Sequence, residues 1–143
     1  MKVHKLSFLI TLIACLTAAL LPGTADARAT KLIEPAQVTT SCDLSIEKMK
    51  EAIITGGAGR GWTPVNQTNE FIELKYIKGS NKHILLVSVA FTNNTFAVSY
   101  MDSTNLNYKV KRNGVRELHP RPIVWMSNLS NDIRIKTDIF CSL

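Results

Sequence analysis

The sequence predicts an α+β fold: a two-layer domain in which a three-stranded antiparallel meander is packed by two helices, in the order helix, strand, strand, strand, helix. Three patterns predict it. Apolar residues recur at helical spacing toward both ends of the region after residue 40, residues 71–100 alternate with period two, and the breaks between the alternating runs are too short for anything but antiparallel hairpins.

Taken in order, Ser45 is placed to cap the first helix, with Glu47 in the first turn where the helix dipole favours an anion. Ile46, Met49, Ala52 and Ile53 supply its buried stripe, and Gly56-Gly57 reads as its stop. In Phe71 to Lys78, Ile72, Leu74 and Tyr76 share one face while Glu73 and Lys75 lie on the other; Gly79-Ser80-Asn81-Lys82 is the turn. His83 to Thr92 sets Leu85, Val87, Val89 and Phe91 against Ile84, Leu86, Ser88 and Ala90. Asn93-Asn94 signals a hairpin, and Phe96, Val98 and Tyr100 line the third strand. Ser103 to Leu118 is polar and basic around an Asn113-Gly114 turn, and reads as a long loop or small hairpin. Pro120 and Pro122 stop any strand, Pro122 suits the first position of a helix, and Trp125, Met126, Leu129 and Ile133 give a second amphipathic stripe. Beyond Ile135 the period weakens, and Ile139, Cys141 and Leu143 fit a short extended tail equally well.

The back face of the sheet carries Glu73, Lys75, Ser88 and Ser99 but also Ile77, Ile84, Leu86, Ala90 and Met101. That is too apolar for a plain solvated face, so a homodimer contact, a partner or the C-terminal tail is expected to cover it.

The full chain has 143 residues, 17 Lys+Arg against 11 Asp+Glu, 45% hydrophobic and 20% charged. This fits one small domain, and the apolar fraction excludes a disordered chain. The only long apolar run is terminal, which excludes a multi-span membrane protein. Lys2 and Lys5, the uncharged run Leu6 to Leu21, Pro22-Gly23 and Ala25-Asp26-Ala27 follow the order of a secretory signal peptide, with cleavage after Ala27. Leu12-Ile13-Ala14-Cys15 offers a second route, lipid anchoring through Cys15, but apolar sequence continues past it to the better site. Residues 28–40 read as a flexible N-terminal segment and 41–143 as the single domain. Losing 27 residues leaves 116; Lys2, Lys5 and Asp26 depart with them, so a net +5 remains. Cys42 and Cys141 then stand at opposite ends of a chain expected in the periplasm or outside the cell, where a disulfide between them would close a loop of about 100 residues. Two free thiols or a metal pair are the alternatives, although neither cysteine has a second Cys or His at ligand spacing.

Arg60-Gly61-Trp62 after the first helix, His83 leading Val87 and Val89, Asp102-Ser103-Thr104-Asn105-Leu106-Asn107-Tyr108, Leu118-His119 and Trp125-Met126-Ser127-Asn128-Leu129 form an ordered set over Ser45 to Ile133. It resembles a family of small exported proteobacterial proteins, of lipoprotein or hypothetical type, with the motifs Arg-Gly-Trp, Asp-Ser-x-Asn-Leu-x-Tyr and Trp-x-x-Asn-Leu. Pro122-Ile123 stands where that family usually carries an aromatic-Asn pair. The resemblance implies an envelope location and a small α+β fold, and no established activity.

Function is therefore argued from residues. Gly56-Gly57-Ala58-Gly59-Arg60-Gly61 follows a helix instead of preceding one and lacks the Lys-Ser/Thr of a phosphate loop. Asp102, Ser103 and His119 lack a nucleophile elbow, so a non-enzymatic binding module is the leading expectation, and a small hydrolase-like envelope enzyme using His119 or a purely structural envelope protein are the alternatives. His83 and His119 have no third ligand at metal spacing, and no cofactor is expected. The basic segment Lys109, Lys111, Arg112, Arg116 and Arg121 is a candidate surface for an anionic envelope component or an acidic protein. Only Tyr108 lies near it, too few aromatics for nucleic acid. A polar cluster of Asp102, Ser103 and Asn105 is expected to line a small pocket with Arg60 and His119.

Overall fold

Helix α1 (Ile46–Ala58) begins where its cap predicts: the Ser45 hydroxyl accepts the Lys48 N–H at 3.2 Å. The computed structural model describes residues 28–143; the expected signal peptide, its expected cleavage site and Cys15 lie outside them. Met49, Ala52 and Ile53 on α1 are fully buried. The helix does not stop at Gly56-Gly57. It continues to Ala58, and the chain reverses at Gly61, whose φ of 89° suits glycine. The two internal glycines serve close approach instead. A Cβ on Gly56 would stand 3.0 Å from backbone N and Cα of Ile133, and one on Gly57 3.0 Å from the Trp62 Cβ.

The sheet is wider than the expected meander. Strands β4 (Phe71–Lys78), β5 (His83–Phe91) and β6 (Thr95–Thr104) do form an antiparallel meander, but β3 (Thr63–Gln67) joins outside β4 and β2 (Val38–Thr39) outside β6, giving the order β2-β6-β5-β4-β3. A second sheet has the order β1-β8-β7, from β1 (Thr30–Lys31), β7 (Lys109–Val110) and β8 (Arg116–Leu118). Residues 28–40, expected as a flexible N-terminal segment, contribute two short strands. Two-residue strands carry no readable period, and every residue of β3 is exposed, which removes the alternation that marks a strand. Proline occupies both flanks. Pro64 lies in β3 beside an irregularity in the pairing with β4. Pro35 precedes β2, and there the Glu34 carboxylate, in place of a strand, accepts the Tyr100 N–H at 2.9 Å.

One face of the large sheet behaves as its alternation predicts. Ile72 and Leu74 lie opposite Val89 and Val87, and Val98 and Tyr100 complete the rows on β6; all are buried. Helix α2 (Pro120–Cys141) packs with α1 over the same core through Met126, Leu129 and Ile133. It starts at Pro120, two residues before the expected position, and runs on to Cys141 with no extended tail. Its buried stripe includes Ser130 and Thr137, and these polar positions hid the period. Thr137 meets its own need by donating to the Arg134 carbonyl at 2.8 Å. Cys42 and Cys141 form a disulfide, with Cα atoms 5.6 Å apart, that ties the chain before α1 to the last turn of α2. The C-terminal segment therefore stays on the helical side and leaves the back face open, with Ile77 41% and Met101 42% exposed.

Ser103 to Leu118 resolves into the small hairpin. Gly114, at φ 79°, makes the turn, and the Lys111 N–H donates to the Val115 carbonyl at 2.9 Å. Leu32, Leu106 and Leu118 bury this unit against the main core.

Candidate functional site

The five cations of the basic segment do not act as one patch. Lys109 and Lys111 both close on the Glu117 carboxylate, Lys109 at 3.2 Å, while Arg116 pairs with Glu34 at 3.2 Å. The hairpin thus neutralises much of its own charge. Among the described residues Arg112 and Arg121 have no acidic partner, and Arg121 belongs to the first turn of α2. The hydrogen bond from Lys111 chiefly, with help from Lys109 and against the effect of burial, holds the Glu117 carboxyl below its ordinary value of 4.5. Because the folded value is the lower one, this contribution to stability is present above about pH 4.5 and is lost as the pH falls through the folded value. Thermal unfolding of Glu117→Gln is therefore expected to change less than that of the parent between neutral pH and pH well below 4.5; equal pH slopes would refute this.

The expected polar cluster divides. The sequence alternation would place Asp102 on the inner face with Tyr100, but a bulge leaves Met101 unpaired, so Asp102 lies opposite Leu86 on the back face and Ser103 opposite Leu85. The Asp102 carboxylate accepts its neighbour's N–H at 2.7 Å, and the Ser103 hydroxyl meets the Tyr100 phenol at 2.9 Å. Arg60 reaches across to Asp132 on α2. His119 is the cap of α2, its Nδ1 accepting the Arg121 N–H at 3.2 Å. A hydrolytic set of Asp102, Ser103 and His119 does not form: the nitrogen that a carboxylate would orient is already engaged by a backbone donor.

A different set converges. His83 opens β5, His119 opens α2, and Asn105 follows β6; with Lys78, Arg121 and Trp125 they line a cleft of about 380 Å³ floored by Leu106. Asn105 holds the wall together. At φ 56° it turns the chain so that its side-chain amide donates to the Lys82 carbonyl at 2.7 Å and its own carbonyl accepts from His83 Nδ1 at 2.9 Å. A carbonyl can only accept, so the neutral His83 ring carries its proton on Nδ1 and presents Nε2 as an acceptor. His119 is the reverse: Nδ1 accepts, leaving Nε2–H as a donor. The cleft has two permanent cations, two imidazoles of opposite tautomer and no lining carboxylate. The backbone at the start of α2 adds little. Pro120 and Pro122 have no N–H, and the Arg121 N–H is taken by His119, so recognition here falls to side chains.

Trp125 also lines a neighbouring cleft of about 350 Å³ with Arg60, Trp62, Tyr76 and Asn128. Its wall is an aromatic ladder: the Trp62 and Tyr76 centroids are 5.2 Å apart, and those of Tyr76 and Trp125 are 5.0 Å apart. Of the residues expected to share a pocket, the structure brings Asn105 and His119 together and places Arg60 in this second cleft. Reasoning from sequence missed Lys78, His83 and the ladder as site components. The available signal was the scattered motif set itself, since Arg60, Trp62, His83, Asn105, His119, Trp125 and Asn128 all line the two clefts.

Comparison of the chain with protein-family models, with curated proteins and with solved structures found no match. Among the described residues no three His, Cys, Asp or Glu side chains gather as a metal site, and no helix is long and apolar enough to cross a membrane.

Proposed function

We propose that this chain is an exported, disulfide-stapled binding module of the cell envelope, and that its ligand is an anion held in the cleft between Lys78 and Arg121. The observation that carries this reading is the charge of the lining: two cations and two histidines converge there with no carboxylate beside them. A low-dielectric wall of Trp125 and Leu106 strengthens the attraction. The paired lysines of the hairpin are poorer candidates, since a ligand would have to displace Glu117. Purified protein titrated with inorganic phosphate and sulfate is expected to bind, and Lys78→Gln and Arg121→Gln are each expected to weaken binding about tenfold or more, the range of a lost charge-assisted hydrogen bond. Arg112→Gln, which removes a cation of the hairpin, serves as the control and leaves affinity unchanged. Equal affinities for all three variants would sink the reading.

One observation favours the hydrolase-like alternative: the paired tautomers, His83 offering a base and His119 an acid in one cleft. A broad substrate screen in which His119→Ala matches the parent would dismiss it.

A further inference from the structure

Resting on that reading, we infer that the ligand is an acidic saccharide of at least two rings, its acid-bearing ring in the histidine cleft and a neutral ring across Trp125 in the aromatic cleft. Trp125 lines both clefts, and each, at about 380 and 350 Å³, is at the small end of the range for small-molecule sites. A ligand that fills both must therefore be extended and must change character along its length. The first cleft is cationic. The second is not, because its one cation, Arg60, is already joined to Asp132. The half of the ligand seated there is uncharged.

The chemistry of the second cleft points to hydroxyl groups on a ring with an apolar face. The Tyr76 hydroxyl and the Asn128 amide make no side-chain hydrogen bond among the described residues, and neither is buried without a partner, so both are open to a ligand. Each can donate and accept, as sugar hydroxyls require. The ladder rings touch one another, with centroids 5.2 and 5.0 Å apart, which leaves no gap between them for a flat heterocycle to be sandwiched in. The C–H face of a sugar needs only one aromatic face, and half-buried Trp125 provides it between the clefts.

The chain has two tryptophans, Trp62 and Trp125, and both line the aromatic cleft, so intrinsic fluorescence reports its occupancy. Three probes separate the components: free glucuronic acid, a disaccharide of glucuronic acid joined to a neutral hexose, and the matching neutral disaccharide. The acidic disaccharide is expected to bind at least about tenfold tighter than either of the others, as a second set of hydrogen bonds would give. Tyr76→Phe and Asn128→Ala are expected to bring the ratio between acidic disaccharide and free acid toward one, while Lys78→Gln lowers both affinities. If the disaccharide and the free acid bind equally, or phosphate binds and neither saccharide does, the saccharide inference is overturned while the anion site stands. If no anion binds, both fall.

Discussion

Replacing Cys42 and Cys141 together by serine is expected to lower the unfolding free energy by about 4 kcal/mol. The bridge spans 99 residues of sequence, nearly the whole of the folded region, and the chain-entropy account gives its largest values for loops of that length. Against a total stability of roughly 5–15 kcal/mol for a domain of this size, such a loss is enough to leave a substantial unfolded fraction at elevated temperature. Native packing is expected to survive, because both cysteines are only partly buried and lie at the margin of the core. Denaturant titrations of the parent, the parent under reducing conditions and the double variant provide the check. Reduction should reproduce the loss in the parent and leave the variant unchanged. A difference of less than about 1 kcal/mol would show that the unfolded chain is already held together by other means.

Gly56→Val is expected to be nearly as damaging, at about 3 kcal/mol, for a reason unrelated to helix propensity. The atoms that its side chain would meet, N and Cα of Ile133 and the carbonyl carbon of Asp132, all belong to the backbone of α2 and cannot turn aside. The helices would have to separate, drawing Met49, Ile53 and Leu129 out of the positions in which each is fully buried. Gly59 supplies the contrast. It caps the same helix at φ −60°, and a Cβ there meets nothing within 4 Å, so Gly59→Ala is expected to be neutral or to stabilise by roughly 0.5 kcal/mol through the unfolded chain. Equal effects of the two substitutions in thermal unfolding would show that helix packing does not depend on the glycine.

The same glycines mark where a single sequence stops being readable. Two adjacent glycines after an apolar stripe signal a helix end, and only the crossing of α1 over α2 reveals that they are contact positions. The strand faces were legible because Ile72, Leu74, Val87 and Val89 follow a strict period of two, and the Ser45 cap because its chemistry is local. Strand β3 was not, since an exposed edge containing Pro64 has no face to advertise. At the site, each histidine could be placed at the start of an element, but not beside the other. They share one cleft because Asn105 bonds to both His83 and Lys82 while the carbonyl of the next residue, Leu106, accepts the His119 N–H at 2.8 Å. At Asp102 the alternation of the third strand breaks by one residue of register: the bulge at Met101 turns it to the back face, a change that alternation alone cannot foresee.

The prolines at the two flanks of the large sheet have a consequence for how copies of this protein meet. A strand arriving beside β3 finds Pro64 without a donor and an interrupted ladder. One arriving beyond Tyr100 finds the donor already spoken for by Glu34. Growth of the sheet from molecule to molecule, the route by which β-proteins pass into fibres, is closed at both margins.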